Sequence, residues 1–271
     1  MRSTRWVLSS IDSVTIPRRW SIWTGFKGTF RSARRQVSPG STPANSADHF
    51  RRLEVTGADS LRITEIFFSL QGESSFVGWP TVFVRLTGCP LRCTWCDTTY
   101  SFHGGDRKPL TDIVAEVLGF GAKHVCITGG EPLSQPGVHS LMNQLCDLGL
   151  TLSLETSGAL PIDAVDARVH RIVDIKTPGS GEVGGNLWSN VEYLRRSDEV
   201  KFVIADRQDY DWSVFKLHEL DLAKRVGHVL FSPVHGALDP ARLAEWVLAD
   251  RLPVRLQLQL HKVIWGEERG R

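Results

Sequence analysis

The sequence predicts an α/β fold in which a mostly parallel sheet curls into an incomplete β/α barrel. Three observations carry that expectation. From about Leu61 onward, short apolar runs rich in β-branched residues alternate with helical stretches. Strands alternating with helices return to the same edge of a sheet by right-handed crossovers, which makes the sheet parallel. The residues that stand out chemically, Cys89, Gly129, Glu155, Lys176 and Ser232, each fall at or just past the end of a predicted strand. That edge carries the sites in sheets of this kind.

Taken in order, the predicted strands are 81–86, 125–128, 151–155, 171–176, 199–203, 228–232 and 253–258. The predicted helices between them are 109–120, 136–148, 186–195, 210–225 and 240–250. A closed eight-stranded barrel typically needs about 250 residues. Residues 58–271 supply fewer than that, so an open barrel fits better.

Residues 1–57 form a separate basic extension, expected to be disordered. They are rich in Arg, Ser and Pro, lack sustained periodicity and include the turn-forming run Ser38-Pro39-Gly40-Ser41-Thr42-Pro43. An organelle transit peptide, a disordered arm and an over-long reading frame would all have this composition. Residues 58–271 are the expected core domain.

The formal charge of +2 hides an asymmetry. Residues 1–50 hold seven Arg and one Lys against Asp12 and Asp48, which leaves the remainder mildly acidic. Such a body is poorly suited to neutralise phosphates, so a small molecule is a better partner than nucleic acid. No apolar run reaches the eighteen residues of a membrane span. Five cysteines, three of them within eight residues, point to a reducing, cytoplasmic setting rather than to a disulfide framework. Cys126 and Cys146 lie in apolar surroundings and read as buried small hydrophobes.

The chemistry centres on Gly88-Cys89-Pro90-Leu91-Arg92-Cys93-Thr94-Trp95-Cys96-Asp97. Its Cys-x3-Cys-x2-Cys spacing, in a loop after a strand, lets three thiolates converge. Three is the informative number. A structural zinc site closes with four protein ligands, whereas a cuboidal iron-sulfur cluster held by three cysteines keeps one iron open. A zinc site completed by His103 is the competing reading. Downstream, Thr128-Gly129-Gly130-Glu131-Pro132 follows a strand, where glycines allow close backbone approach to a ligand. Glu155 ends an apolar strand, a costly position for a carboxylate without a partner.

The cysteine loop, with Trp95 just before the last cysteine, resembles the cluster loop of radical S-adenosylmethionine (SAM) enzymes, which share a partial TIM-type barrel. The resemblance implies a 4Fe-4S cluster on Cys89, Cys93 and Cys96, with SAM on the fourth iron and reductive cleavage to a 5'-deoxyadenosyl radical. It implies SAM contacts at Trp95, Cys96, Asp97, Gly130 (of a GGEP motif), Glu155, Asp174, Ile175, Lys176, Ser232, Pro233, Val234 and His235. A salt bridge from Lys176 to Asp174 or Glu155 is an alternative role for that lysine.

A finer similarity lies in Glu65-Ile66-Phe67-Phe68-Ser69-Leu70-Gln71-Gly72-Glu73, Phe83-Val84-Arg85-Leu86-Thr87-Gly88-Cys89, Cys96-Asp97-Thr98 and Gln259-Leu260-His261-Lys262. These resemble the 7-carboxy-7-deazaguanine synthase family from about Leu61 to the C-terminus. Glycyl-radical activases share the cysteine spacing but not the other segments. The resemblance implies a carbon-nitrogen lyase of queuosine biosynthesis. Such an enzyme converts 6-carboxy-5,6,7,8-tetrahydropterin to 7-carboxy-7-deazaguanine, with loss of ammonia and regeneration of SAM.

It implies substrate contacts at Leu70, Gln71, Gly72, Arg85, Thr128 and His261, and Mg2+ on Thr98. Catalysis itself is expected to use no protein group beyond the cluster and SAM. An electron donor such as flavodoxin or ferredoxin, and a homodimer, are implied as well. In physical terms, Arg85 offers a forked cation to a carboxylate, and Mg2+ uses few protein ligands together with substrate oxygens.

Overall fold

Nine strands form one sheet in the computed structural model, which describes residues 60–270. The expected extension of residues 1–57 therefore lies outside the described residues. The strands are β1 (Ser60–Leu70), β2 (Pro80–Leu86), β3 (Asp106–Pro109), β4 (His124–Gly129), β5 (Thr151–Thr156), β6 (His170–Ile175), β7 (Glu199–Ile204), β8 (His228–Pro233) and β9 (Arg255–Leu256). Their spatial order is β3-β1-β2-β4-β5-β6-β7-β8-β9, and β3 and β9 are left as the unjoined edges. From β2 onward every neighbouring pair is parallel, while β1 runs antiparallel to both β2 and β3. The result is the expected partial barrel.

The central strands are buried on both faces because helices cover one side and the barrel interior, which carries the polar groups, the other. Helices α1 (Leu110–Gly119) and α2 (Val138–Asp147) pack Ile113, Val117, Leu141, Met142 and Leu145 against Val82, Val84, Val125 and Ile127. A second core joins Phe202 and Phe231 of β7 and β8 to Tyr210 and Leu217 of α3 (Arg207–Glu219) and Leu243 of α5 (Pro240–Ala249). Between these last helices lies the short α4 (Leu222–Arg225), and α6 (Leu260–Trp265) closes the described chain.

Two expected helices are corrected. Residues 186–195 form a 3-10 segment, Trp188–Tyr193, preceded by another at Val183–Gly185. Here asparagine side chains take over backbone partners, which competes with helical pairing. Asn186 bonds both N and O of Lys176 at 2.8 Å, and Asn190 accepts from Ile162 N while donating to the carbonyls of Gly158 and Leu160. The predicted helix 210–225 begins earlier, at Arg207, because Asp206 caps it through Asp209 N. It breaks before Asp221, whose φ of 51° is left-handed.

Candidate active site

The cysteine loop leaves the end of β2, and neighbouring loops hold it in place. Gly88 N donates to Ser101 O, and Thr94 N donates to Ser180 O at 3.0 Å. Thr94 Oγ1 donates to Gly179 O at 2.7 Å, and Arg92 N to Glu182 Oε1 at 2.6 Å. Cys89, Cys93 and Cys96 are all unpaired, partly exposed and set along the wall of one cleft of about 320 Å3. Burial pushes the Cys89 and Cys93 thiols above their ordinary values, and the Lys176 ammonium pulls against that shift. Cys126 and Cys146 are buried and do not line the cleft; Cys126 lies beneath it, beside Glu155, and Cys146 in the apolar core.

The Gly129-Gly130-Glu131 turn docks directly on this loop. Gly130 N donates to Leu86 O at 3.2 Å and Glu131 N to Gly88 O at 2.8 Å. A Cβ at Gly129, whose φ is 151°, would sit 2.4 Å from Leu86 O. One at Gly130 would sit 2.3 Å from Gly88 O and 2.8 Å from Cys89 Cβ. The contacts are backbone on backbone and cannot be relieved by a rotamer change. Glu131, which the motif alone did not explain, is fully buried and ties the turn to β5. Its carboxylate accepts from Leu133 N, Thr156 Oγ1, Ser157 N and Ser157 Oγ.

Gly130→Ala is accordingly expected to lower SAM affinity at least about tenfold and to destabilise the chain by about 1–3 kcal/mol, the usual range for overpacking. Titration calorimetry and a melting curve would test it. Wild-type affinity would show that the junction yields more easily than its distances indicate.

Deeper in the barrel, Glu155 is the shared acceptor. Gln71 Nε2 donates to its Oε1 at 3.2 Å and Thr128 Oγ1 to its Oε2 at 3.0 Å. The carboxylate stranded at a strand end thus has its partners. Arg85 lines the same cleft, with Nε donating to Glu65 Oε1 at 2.7 Å, and Tyr100 donates to that oxygen at 2.8 Å. Arg85 therefore forms an ion pair and still presents its fork to the cleft. Desolvation and the Glu65 hydrogen bond outweigh Arg85 and raise the Tyr100 hydroxyl to about 12, so it remains a donor.

The Lys176–Asp174 bridge was among the alternatives read from the sequence, but sequence reasoning missed the rest of the ionic floor of the cleft. Lys201, inside the barrel on β7, contacts Glu73 at 2.7 Å and Asp174 at 3.7 Å, and Asp174 contacts Lys176 at 3.1 Å. Gln259 Nε2 adds a bond to Glu73 Oε1 at 2.9 Å. Burial alone would raise the Glu73 carboxyl. The Lys201 charge and hydrogen bond, helped by Gln259 and His261, instead bring it down to about 2. The signal available was a lysine in the strand Glu199-Val200-Lys201-Phe202-Val203, where only an interior ion pair makes a charge tolerable.

The remaining expected residues divide. Leu70, Trp95, Asp97, Thr98, Val234 and His235 line the cleft, as does His261, which packs on Gly72 so closely that a Cβ there would lie 2.1 Å from His261 Nδ1. Gly72 itself, Ile175, Ser232 and Pro233 do not line it. Ile175 is in the second core, and Ser232 Oγ donates to Gln257 O. His103, the proposed fourth zinc ligand, is exposed and outside the cleft. The C-terminal residues 266–270 also line the cleft, with Arg269 over the Tyr100 ring at 4.3 Å.

The chain matches the radical SAM superfamily over residues 83–174. It is 47% identical over 211 residues to 7-carboxy-7-deazaguanine synthase from Chlorobaculum tepidum, covering 77% of this chain and 96% of that protein. The corresponding enzyme from Koribacter versatilis is 44% identical over 222 residues, with 77% and 98% covered. This chain belongs to the 7-carboxy-7-deazaguanine synthase family. The crystal structure of QueE from Escherichia coli superposes with a TM-score of 0.62 at 27% identity, covering 74% of this chain and 95% of that one.

Membership of this radical SAM family makes the chain an enzyme and implies a 4Fe-4S cluster and SAM. The residues suit both groups. Three thiols share one loop on one cleft, and glycines clear the adjacent backbone. Among the described residues, no three His, Cys, Asp or Glu side chains gather around one ion. A cuboidal cluster does not require that, because its irons occupy separate corners.

Proposed function

We propose that this enzyme converts 6-carboxy-5,6,7,8-tetrahydropterin to 7-carboxy-7-deazaguanine with loss of ammonia, with Mg2+ as an auxiliary ion. Family membership supports the reaction. The single structural observation that carries the substrate assignment is the grouping of Arg85, Gln71, Thr128 and His261 in the cleft that also holds the three cysteines. Cysteines 89, 93 and 96 would hold the cluster, and with SAM bound it would supply a 5'-deoxyadenosyl radical.

The chain's own groups do the positioning. Arg85, fixed at Nε by Glu65, turns its guanidinium edge to a substrate carboxylate in a geometry a lysine cannot reproduce. Gln71, Thr128 and His261 are the proposed contacts to the pterin, and Gln71 and Thr128 also hold the carboxylate of Glu155, which is the proposed contact to SAM. On the SAM side, Trp95, Cys96, Asp97, Gly130, Glu155, Asp174, Lys176, Val234 and His235 are the proposed contacts that line the cleft. Ile175, Ser232 and Pro233 stand behind them and act by shaping that wall. Thr98, whose hydroxyl lies 3.7 Å from Cys96 Sγ, is the proposed Mg2+ ligand. The same reading carries a flavodoxin- or ferredoxin-type electron donor, a homodimer, a cytoplasmic setting, and residues 58–271 as the catalytic domain. Among the described residues, no helix is long and apolar enough to cross a membrane.

Anaerobic incubation with SAM, a reductant, Mg2+ and the carboxytetrahydropterin should yield 7-carboxy-7-deazaguanine, identified by mass and ultraviolet spectrum. SAM cleavage without any deazapurine would overturn the substrate assignment and leave the superfamily standing. Thr98→Ala should keep iron content and SAM affinity while requiring more Mg2+ for half-maximal turnover. Superimposable Mg2+ curves would remove Thr98 from the metal site.

A further inference from the structure

We propose that Asp209, outside the cleft at the start of α3, is a positioning residue for the cysteine loop. It acts through the loop Thr177–Gly181. Asp209 is 1% exposed, and each of its carboxylate oxygens is committed to a backbone amide. Oδ1 accepts from Gly179 N at 2.7 Å, and Oδ2 accepts from Ala205 N at 3.1 Å, just beyond β7. The junction is tight. A Cβ on Gly179 would lie 2.6 Å from Asp209 Oδ2.

The next link is made by the two carbonyls that Asp209 holds in place. Gly179 O takes the Thr94 hydroxyl at 2.7 Å and Ser180 O takes Thr94 N at 3.0 Å. Thr94 sits between Cys93 and Trp95, so these two hydrogen bonds to the support fall beside a ligand cysteine. The support is braced from its other side by Thr177 Oγ1 donating to Val203 O at 2.9 Å. A buried carboxylate accepting two backbone amides is a stronger acceptor than a neutral group there, and its loss removes the partner of both the Gly179 and the Ala205 amide. Asp209 touches neither cysteine nor cleft, so its influence on the loop must pass through residues 179 and 180.

This inference rests on the reading of Cys89, Cys93 and Cys96 as cluster ligands, but its test does not need the cluster. The five free thiols of the metal-free chain provide an internal comparison, because Cys93 lies on the supported loop while Cys126 and Cys146 are buried. Alkylation by iodoacetamide, followed residue by residue by mass spectrometry, separates loosening of the loop from opening of the whole fold.

Asp209→Ala is expected to speed alkylation of Cys93 about fivefold, the equivalent of one net hydrogen bond, with Cys126 unchanged. Gly179→Ala, which disturbs the junction from the other side, should do the same. In a Thr94→Val background the Asp209→Ala effect should shrink without vanishing, because the hydroxyl link to Gly179 O is removed while Thr94 N still reaches Ser180 O. Equal acceleration at Cys93 and Cys126, no acceleration at Cys93, or full additivity with Thr94→Val would each overturn the proposal. Iron and sulfide content of reconstituted wild type tests the cluster reading separately. With the cluster loaded, Asp209→Ala should raise KM for SAM more than it lowers kcat.

Discussion

Replacing Cys89, Cys93 or Cys96 by Ala is expected to abolish SAM cleavage and to reduce bound iron sharply, while Cys126→Ala and Cys146→Ala keep both near wild type. The reason is placement. The first three thiols line the cleft on one loop, and the other two are buried off it, where burial raises both thiols and keeps them protonated. A cluster with three protein ligands has none to spare, and the nearby Thr98 hydroxyl is a poor replacement for a thiolate. Anaerobic reconstitution, iron and sulfide analysis and detection of 5'-deoxyadenosine would measure the effect. Full cleavage by Cys93→Ala would sink the cluster assignment. The controls have their own cost, since Cys126→Ala removes a core atom group at 0% exposure and should lower stability by about 1 kcal/mol.

What the sequence disclosed and what it withheld follow from the range of the forces involved. Strands β2, β4, β5, β6, β7 and β8 were legible because parallel strands buried on both faces read as continuous apolar runs. Strand β1 was not assigned from the sequence. Its register shifts between Ile63 and Glu65, so the inward phase set by Leu61 and Ile63 is lost further along. The cysteine loop and the glycine turn were legible because their spacing is local. Glu131, Asp209 and the Glu73–Lys201 pair were not, because each works across 25 or more residues of chain and has meaning only once its partners are known. The 3-10 segment at Trp188–Tyr193 has the same origin, an asparagine pair whose partners lie up to 32 residues away.

The pair at the floor of the cleft carries the last prediction. Glu73 and Lys201 are 12% and 13% exposed in their side chains and meet at 2.7 Å, so each charge depends on the other for compensation. Lowering the Glu73 carboxyl from 4.5 to about 2 corresponds to about 3 kcal/mol of stability. Because the folded value is depressed, that contribution is complete above about pH 4.5 and disappears as pH falls toward 2. Lys201→Met removes the cation and leaves Glu73 buried with Gln259 as its remaining hydrogen-bond partner. Breaking one side of such a pair typically costs about 3–5 kcal/mol. Desolvation then dominates and the Glu73 carboxyl rises above its ordinary value, which reverses the sign of its pH dependence: protonation now relieves the folded state. Urea unfolding of the metal-free chain at pH 7 and near pH 4 should therefore show a large loss in Lys201→Met at pH 7 that narrows at the lower pH. Glu73→Gln combined with Lys201→Met should recover part of the loss, since no unpaired charge remains. A Lys201→Met chain as stable as wild type at pH 7 would mean that water or Lys176 compensates Glu73, and that the ionic floor is not a structural element of the barrel.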